Sequence, residues 1–265
     1  MRLLMIGAGN MGGAMLCRWL AAGLAPGDVT VVSPSGRAMP DGVRVVTAIP
    51  DAVDATFDTI LLGLKPQQLA TLRGSPLAGH APRVLVSILA GVEEATLAPV
   101  CRASVVVRAM PNLPVAIGKG VVALYSSGAD DAVRHELTAW MAPLGLVEWI
   151  ADEAQFDDVT ALAGCGPGFV FRFADALAQA GAALGLPAEQ AARLALATLA
   201  GSAIMAGDAD ATPAVLADRV ASPGGSTRAG LNVLDGQARL VTLLTETLAA
   251  SAARNRAMAE AARSA

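Results

Sequence analysis

Apolar residues in the first part of the chain fall in short unbroken runs, at residues 2–6, 29–33, 43–46, 59–64, 84–88, 105–108, 121–125 and 146–150. Most are rich in Val, Ile and Leu and do not alternate with polar residues, the pattern of strands covered on both faces. Helical or turn-like stretches separate most of them, so a mainly parallel, doubly wound sheet is predicted. After about Asp152 the texture changes: no strand-like run follows, and Ala, Leu and Gly dominate. Val170, Phe173, Leu177, Ala180 and Leu184 step by three and four along one helical stripe. Pro187 stands where the next helix begins, continuing through residues 194–206, and Pro213 opens a third stretch leading into Pro223-Gly224-Gly225. Helical patterning resumes at Ser226 and again at Leu240. The expected fold class is an α/β domain over residues 1–151 followed by an all-helical domain over 152–265.

Composition narrows the partners. With 265 residues, 54% apolar and 16% charged, the chain has core enough for one large or two modest domains and is not disordered. A net charge of −4, a pI near 5.2 and 3% aromatics argue against nucleic acid. Cys17, Cys101 and Cys165 show no paired spacing, so neither a disulfide scaffold nor a thiolate metal site is expected, and no metal is assigned. No apolar run has membrane-span length and the start does not read as a signal peptide; a reducing, cytoplasmic setting is expected. Mean hydropathy, at +0.52, is nonetheless high. The excess is concentrated in residues 159–207, whose only charges are Arg172, Asp175, Glu189 and Arg193. Helices apolar on every side must be covered on every side, which predicts packing against their copies in a homodimer; a dense monomer core is the plainer alternative.

The most informative local feature follows the first strand. Gly7-Ala8-Gly9-Asn10-Met11-Gly12 comes directly after the run ending at Ile6 and opens a helix, the GxGxxG pattern in the setting a dinucleotide needs. The first glycine permits the turn, the second lets a pyrophosphate approach, and the third lets helix and strand pack. The helix start adds free N–H groups and a positive dipole end, and a glycine turn that binds nothing is the competing reading. The N-terminal domain is accordingly Rossmann-like. Where an acidic residue would accept from an NAD ribose, this chain has Ser33, Pro34, Ser35, Gly36 and Arg37, which suit a 2′-phosphate; NADP(H) is favoured and NAD(H) stays open.

From Ala151 onward there is no Lys, His or Tyr, the common bases for oxidising an alcohol. Of Lys65, Lys119, His80 and His135, Lys65 ends a strand on the ligand side, while both histidines are expected at the surface. Reducing a carbon–nitrogen double bond asks for less, because a protonated imine is already electrophilic. Ser222-Pro223-Gly224-Gly225-Ser226-Thr227 ahead of a helix forms a nest that could hold a carboxylate, or equally an ordinary capped helix start.

With these residues in view, the sequence resembles the pyrroline-5-carboxylate reductase family over essentially its whole length. The ordered markers are Gly7 to Gly12, Leu64-Lys65-Pro66, Val86 to Val92, Arg108-Ala109-Met110-Pro111-Asn112, Gly164 to Phe171, and Asp218 to Thr227 continuing to Asp235. The first is common to many dehydrogenases; the last is the specific one. The resemblance implies hydride transfer from NAD(P)H to 1-pyrroline-5-carboxylate, giving L-proline in the last step of proline synthesis. It implies that Ile6, Gly7, Ala8, Gly9, Asn10 and Met11 hold the pyrophosphate, with Ser33 and its neighbours around the ribose. Leu64, Lys65, Ala90, Gly91, Met110 and Asn112 would line the nicotinamide side. Ser222, Gly224, Gly225, Ser226 and Thr227 would bind the substrate, with the Thr227 hydroxyl near the imine nitrogen and Asp210 close by. It also implies a substrate site joining helices of two subunits, in a dimer or a ring of dimers. Leu113, Ala217, Cys165 and Phe169 depart from the Thr, Lys, Ser and Tyr usual in relatives. Two rivals remain at this stage: a 3-hydroxyacid dehydrogenase, which would need a base in the helical half, and a non-catalytic NADP-binding regulator.

Overall fold

All eight apolar runs become strands of one sheet in the computed structural model, which describes residues 1–263. The strands are β1 (Leu3–Ile6), β2 (Val29–Val32), β3 (Arg44–Val46), β4 (Thr59–Leu62), β5 (Val84–Ser87), β6 (Val105–Pro111), β7 (Gly120–Tyr125) and β8 (Gly145–Trp149). Their order is β3-β2-β1-β4-β5-β6-β7-β8, and every neighbouring pair is parallel except β6 with β7. In the central strands alternate residues feed opposite faces, while the edge strands β3 and β8 stay partly exposed. Leu3, Met5, Val29, Val31, Leu61, Val84 and Val86 join one core cluster, while Leu4, Ile6, Val32, Ile60, Leu62 and Leu85 join another. That double burial is why the runs carry no polar alternation.

Three differences from the sequence expectation have simple causes. β6 runs on past Arg108 to Pro111, because Arg108 to Pro111 pair antiparallel with Tyr125 to Val122. β7 and β8 start one residue earlier than their β-branched runs, on Gly120 and Gly145, which pair with each other. His80 is buried at 3% exposure, not at the surface: its Nε2 donates to the Pro50 carbonyl at 2.8 Å and its ring lies on Phe57. His135 is exposed as expected.

Helices α1 (Asn10–Ala21), α2 (Glu94–Leu97), α3 (Asp131–Met141) and α4 (Phe156–Val159) accompany the sheet. On α1 and α3, Trp19 and Trp140 stack with ring centroids 4.5 Å apart, and Trp19 Nε1 donates to the Trp140 carbonyl. A π-helical turn, Thr160–Gly164, continues α4. The remaining helices are α5 (Gly166–Ala183), α6 (Ala188–Asp208), α7 (Pro213–Arg219), α8 (Ser226–Asp235) and α9 (Arg239–Arg263). Pro187 caps α6 and Pro213 begins α7, as proline's fixed φ and missing N–H favour.

The chain divides into two compact units, Met1–Cys165 with the stretch from Ser251 onward, and Gly166–Ala250. Helix α9 therefore contributes to both. Its later turns join the first unit: Ser251 Oγ donates to Cys165 Sγ at 3.2 Å and Arg256 pairs with Asp158 at 3.0 Å. In the second unit α5 and α6 pack closely, with Gly181 against Ala191. Only two alanines, Ala191 and Ala195, are buried on these two helices, while Leu196 and Ile204 on α6 are 62% and 66% exposed and Leu184, just after α5, is 89% exposed.

Candidate functional site

The glycine loop sits at the carboxyl end of β1, in the centre of the parallel strands, where ligands of open α/β sheets bind. Gly7 adopts φ +85° and donates to the Val32 carbonyl, and Gly63, just past β4, donates to the Ile6 carbonyl at 2.9 Å. The two loops approach so closely that a Cβ on Gly63 would lie 2.6 Å from the Gly7 carbonyl oxygen. Gly9 is the N-cap of α1, with no side chain capping the helix and no acidic residue in its first turn. Nothing in the chain lies within 4 Å of where a Gly9 Cβ would be. The helix thus offers N–H donors and a positive dipole end to open space, a fit for a pyrophosphate.

Ser33 follows β2 and is buried; its Oγ accepts from Arg37 N at 3.1 Å and lies 3.5 Å from Ser35 Oγ. This folds Ser35 and Arg37 back beside the strand end while both stay exposed. No acidic residue occupies the turn. Leu64 is half-buried against the core, and exposed Lys65 has its N–H held by Gln68 Oε1. Ala90 and Gly91 form the turn after β5.

Met110 and Asn112 are both buried. The Asn112 side chain is fully engaged: Oδ1 accepts from Val121 N at 2.8 Å and Nδ2 donates to the Ala163 carbonyl at 2.9 Å. A Cβ on Gly164 would lie 2.9 Å from Met110 Sδ, so the π-helical turn rests directly on β6. The sequence reading attached no role to Gly63, Arg108 or Glu153. A glycine at the end of a buried strand was the available signal for Gly63; a charge inside an otherwise apolar run was the signal for Arg108.

Arg108 is 4% exposed. Its Nη1 donates to Glu153 Oε1 at 2.8 Å and its guanidinium lies 4.0 Å from the centroid of Phe156. Burial raises the Asp157 carboxyl above its ordinary value, partly offset by Arg108 and Arg256. Tyr125 is also raised, by burial and then by Glu153.

In the second unit the Ser222–Thr227 segment forms a tight turn. Gly225 N donates to the Ser222 carbonyl at 2.9 Å, and Gly224 takes φ +75°. Gly225 is the N-cap of α8, again without a side-chain cap or an acidic residue in the first turn. Ser226 and Thr227 are exposed on that first turn. Next to them, Arg228 Nη2 donates to Asp218 Oδ1 at 2.6 Å, tying α8 to α7. Asp210 is exposed in the loop between α6 and α7.

A parallel sheet with an uncapped glycine loop at its switch point, joined to a helical unit, defines a dinucleotide-dependent oxidoreductase of the Rossmann type. Residues 2–91 match the family model "NADP oxidoreductase coenzyme F420-dependent" and residues 153–258 match "Pyrroline-5-carboxylate reductase dimerisation". The chain is 34% identical to the pyrroline-5-carboxylate reductase of Pseudomonas aeruginosa, over 98% of this chain and 97% of that one. It is 36% identical to that of Synechocystis, covering 87% and 88%. Among solved structures, a Coxiella burnetii pyrroline-5-carboxylate reductase aligns with TM-score 0.85 at 27% identity, covering 96% and 97%. A Plasmodium falciparum pyrroline carboxylate reductase with NADP bound aligns with TM-score 0.79 at 25% identity, covering 97% and 98%. The chain belongs to the pyrroline-5-carboxylate reductase family.

Proposed function

We propose that the chain reduces the carbon–nitrogen double bond of 1-pyrroline-5-carboxylate with NADPH, giving L-proline, and does so as a cytoplasmic homodimer. The observation that carries this reading is the uncapped start of α8 with Thr227 in its first turn, on a chain that matches curated reductases almost end to end. The 3-hydroxyacid alternative predicts a lysine or histidine base in the helical half, which holds neither.

In this reading Ile6 to Gly12 carry the pyrophosphate on the backbone of the loop and the α1 start, while Ser33, Ser35 and Arg37 surround the ribose and its 2′-phosphate. Leu64, Lys65, Ala90 and Gly91 line the nicotinamide face; Met110 on β6 and Asn112 just after it support it. When bound, the reduced nicotinamide supplies the hydride that adds to ring carbon 5. The substrate carboxylate rests on the backbone N–H groups of Gly224, Gly225 and Ser226, which cost no reorganisation because the turn is already formed. Holding the two rings in register contributes up to roughly 7–11 kcal/mol of barrier lowering in well-oriented cases. As carbon 5 gains hydride, the π pair moves onto the ring nitrogen, and the Thr227 hydroxyl relays a proton to that nitrogen from solvent. The apolar helices α5 and α6 pack against their copies, which matches the dimerisation model over residues 153–258. Three free cysteines fit a reducing compartment.

Loss of NADPH absorbance on adding pyrroline-5-carboxylate tests the activity, with 3-hydroxy acids and NADP as the opposing trial. Thr227→Ala should lower kcat by about a hundredfold, within the range for a positioned proton donor, and leave NADPH affinity intact. Near-normal turnover in that variant would remove Thr227 from the mechanism.

A further inference from the structure

Arg108 is a costly residue where it stands. It lies in the middle of β6, between Val107 and Ala109, with its side chain almost fully buried. Among the described residues Glu153, the Phe156 ring and the nearby Asp157 carboxylate compensate its charge, and its Nε, also buried, has no hydrogen-bond partner there. A buried ion pair of this kind is often no more stable than apolar residues of the same size, so folding energy alone does not account for it.

What the pair does is join strand ends. Glu153 Oε1 accepts from Arg108 Nη1 and also from the backbone N–H of Glu94, each at 2.8 Å. Glu94 in turn accepts from Ser127 N at 3.0 Å and from Ser127 Oγ at 3.1 Å. One hydrogen-bonded chain therefore runs from the segment after β7, through the loop after β5, to the centre of β6. The loop after β5 carries Ala90 and Gly91; β6 carries Met110, and Asn112 follows directly after its end. Beside this chain lies a cavity of about 300 Å³ lined by Gly91, Glu93, Arg108, Glu153, Phe156 and Asp157 among others, so neighbouring side chains do not fill the space around the loop. Buried Leu89 and Val92 pin the loop to the core and Gly91 abuts Ala259; on the cavity side the polar chain is what holds it.

We propose that Arg108 is a positioning residue for the nicotinamide pocket, acting through Glu153 to hold the Ala90–Glu94 loop at a fixed distance from Met110 and Asn112. This rests on the cofactor reading above. The positioning role lies in the acceptor oxygen of Glu153 and the donors of Arg108, while the negative charge of Glu153 balances the buried guanidinium.

Four full-length proteins test it: wild type, Arg108→Met, Glu153→Gln and Glu153→Ala. NADPH Kd is measured by titration calorimetry, kcat and KM with pyrroline-5-carboxylate, and Tm by scanning calorimetry. Arg108→Met and Glu153→Ala should each raise NADPH Kd roughly tenfold, the scale of a broken coupled network, with KM for the imine changed much less. Glu153→Gln, which keeps an acceptor for Glu94 N and Arg108, should stay within about threefold of wild type. Unchanged NADPH Kd in both Arg108→Met and Glu153→Ala would overturn the proposal, as would a Gln variant as weak as the Ala variant. If Arg108→Met does not fold, the Gln-against-Ala contrast at Glu153 decides alone. Failure of the wild-type protein to bind NADPH would overturn the cofactor reading and this proposal with it, and is seen before any variant is compared.

Discussion

Single side chains carry the proposed cofactor preference and part of the expected pH response. Arg37 is exposed beside Ser33 and Ser35 with no carboxylate in the turn, the arrangement on which the proposed 2′-phosphate contact rests. Arg37→Ala should raise NADPH Kd about tenfold and NADH Kd less than about twofold, as loss of one charge-assisted contact predicts; equal effects on both would contradict a 2′-phosphate contact. Burial raises the Asp157 carboxyl, so the folded chain holds that proton more tightly than the unfolded chain. Stability tied to this group is complete at pH below about 4, where Asp157 is protonated in both states, and declines as pH rises through the raised folded value. Asp157→Asn should then raise Tm by about 1–2 °C at pH 7, with the gain shrinking as pH approaches 4. A larger gain at low pH would reverse the argument. Ser33 and Arg37 were legible in the sequence because both lie within a few residues of a strand end. Asn112 was only partly so, since its amide partner Ala163 is 51 residues away.

At the scale of elements, the β1–α1 turn and its neighbour after β4 separate two uses of glycine. Gly63 is required by the chain itself, since a Cβ would press on the Gly7 carbonyl; Gly9 faces open space. Gly63→Ala should cost about 1–3 kcal/mol of stability through overpacking. Gly9→Ala should leave thermal unfolding nearly unchanged yet weaken NADPH binding at least about tenfold, because the added methyl occupies the pyrophosphate approach. Unfolding curves and cofactor titration on the two variants check both halves, and a Gly9→Ala protein with normal affinity would argue against the loop as the phosphate site. The helical stripe of α5 and the proline starts of α6 and α7 followed from spacing alone. The antiparallel pairing of β7 with β6 did not, because nothing in a four- to seven-residue apolar run states the direction of its neighbour.

For the whole molecule the question is what covers the second unit. Its long helices bury alanines and expose leucines, isoleucine, methionine and phenylalanines, an inversion of the usual arrangement. Much of the chain's high mean hydropathy thus corresponds to exposed surface on the second unit, while the first unit gathers most of its strand residues into buried clusters on the sheet. Light scattering at micromolar concentration should report at least twice the chain mass of 26.6 kDa. Leu196→Glu should shift the protein toward smaller, less stable species. A monodisperse wild-type monomer would refute the dimer.

What the sequence determined by itself is whatever depends on neighbours along the chain. The eight strands, the glycine turn opening α1, and the proline and Gly-Gly starts of the later helices all express contacts within a few residues, set by steric preference and hydrophobic period. Tertiary structure alone decided which distant groups share an environment. It buried His80 against Phe57, returned the end of α9 to the first unit, and placed Glu153 on Arg108 across 45 residues. A buried charge is tolerable only beside its partner, and that partner is chosen by the packing of the whole fold, which no local pattern encodes.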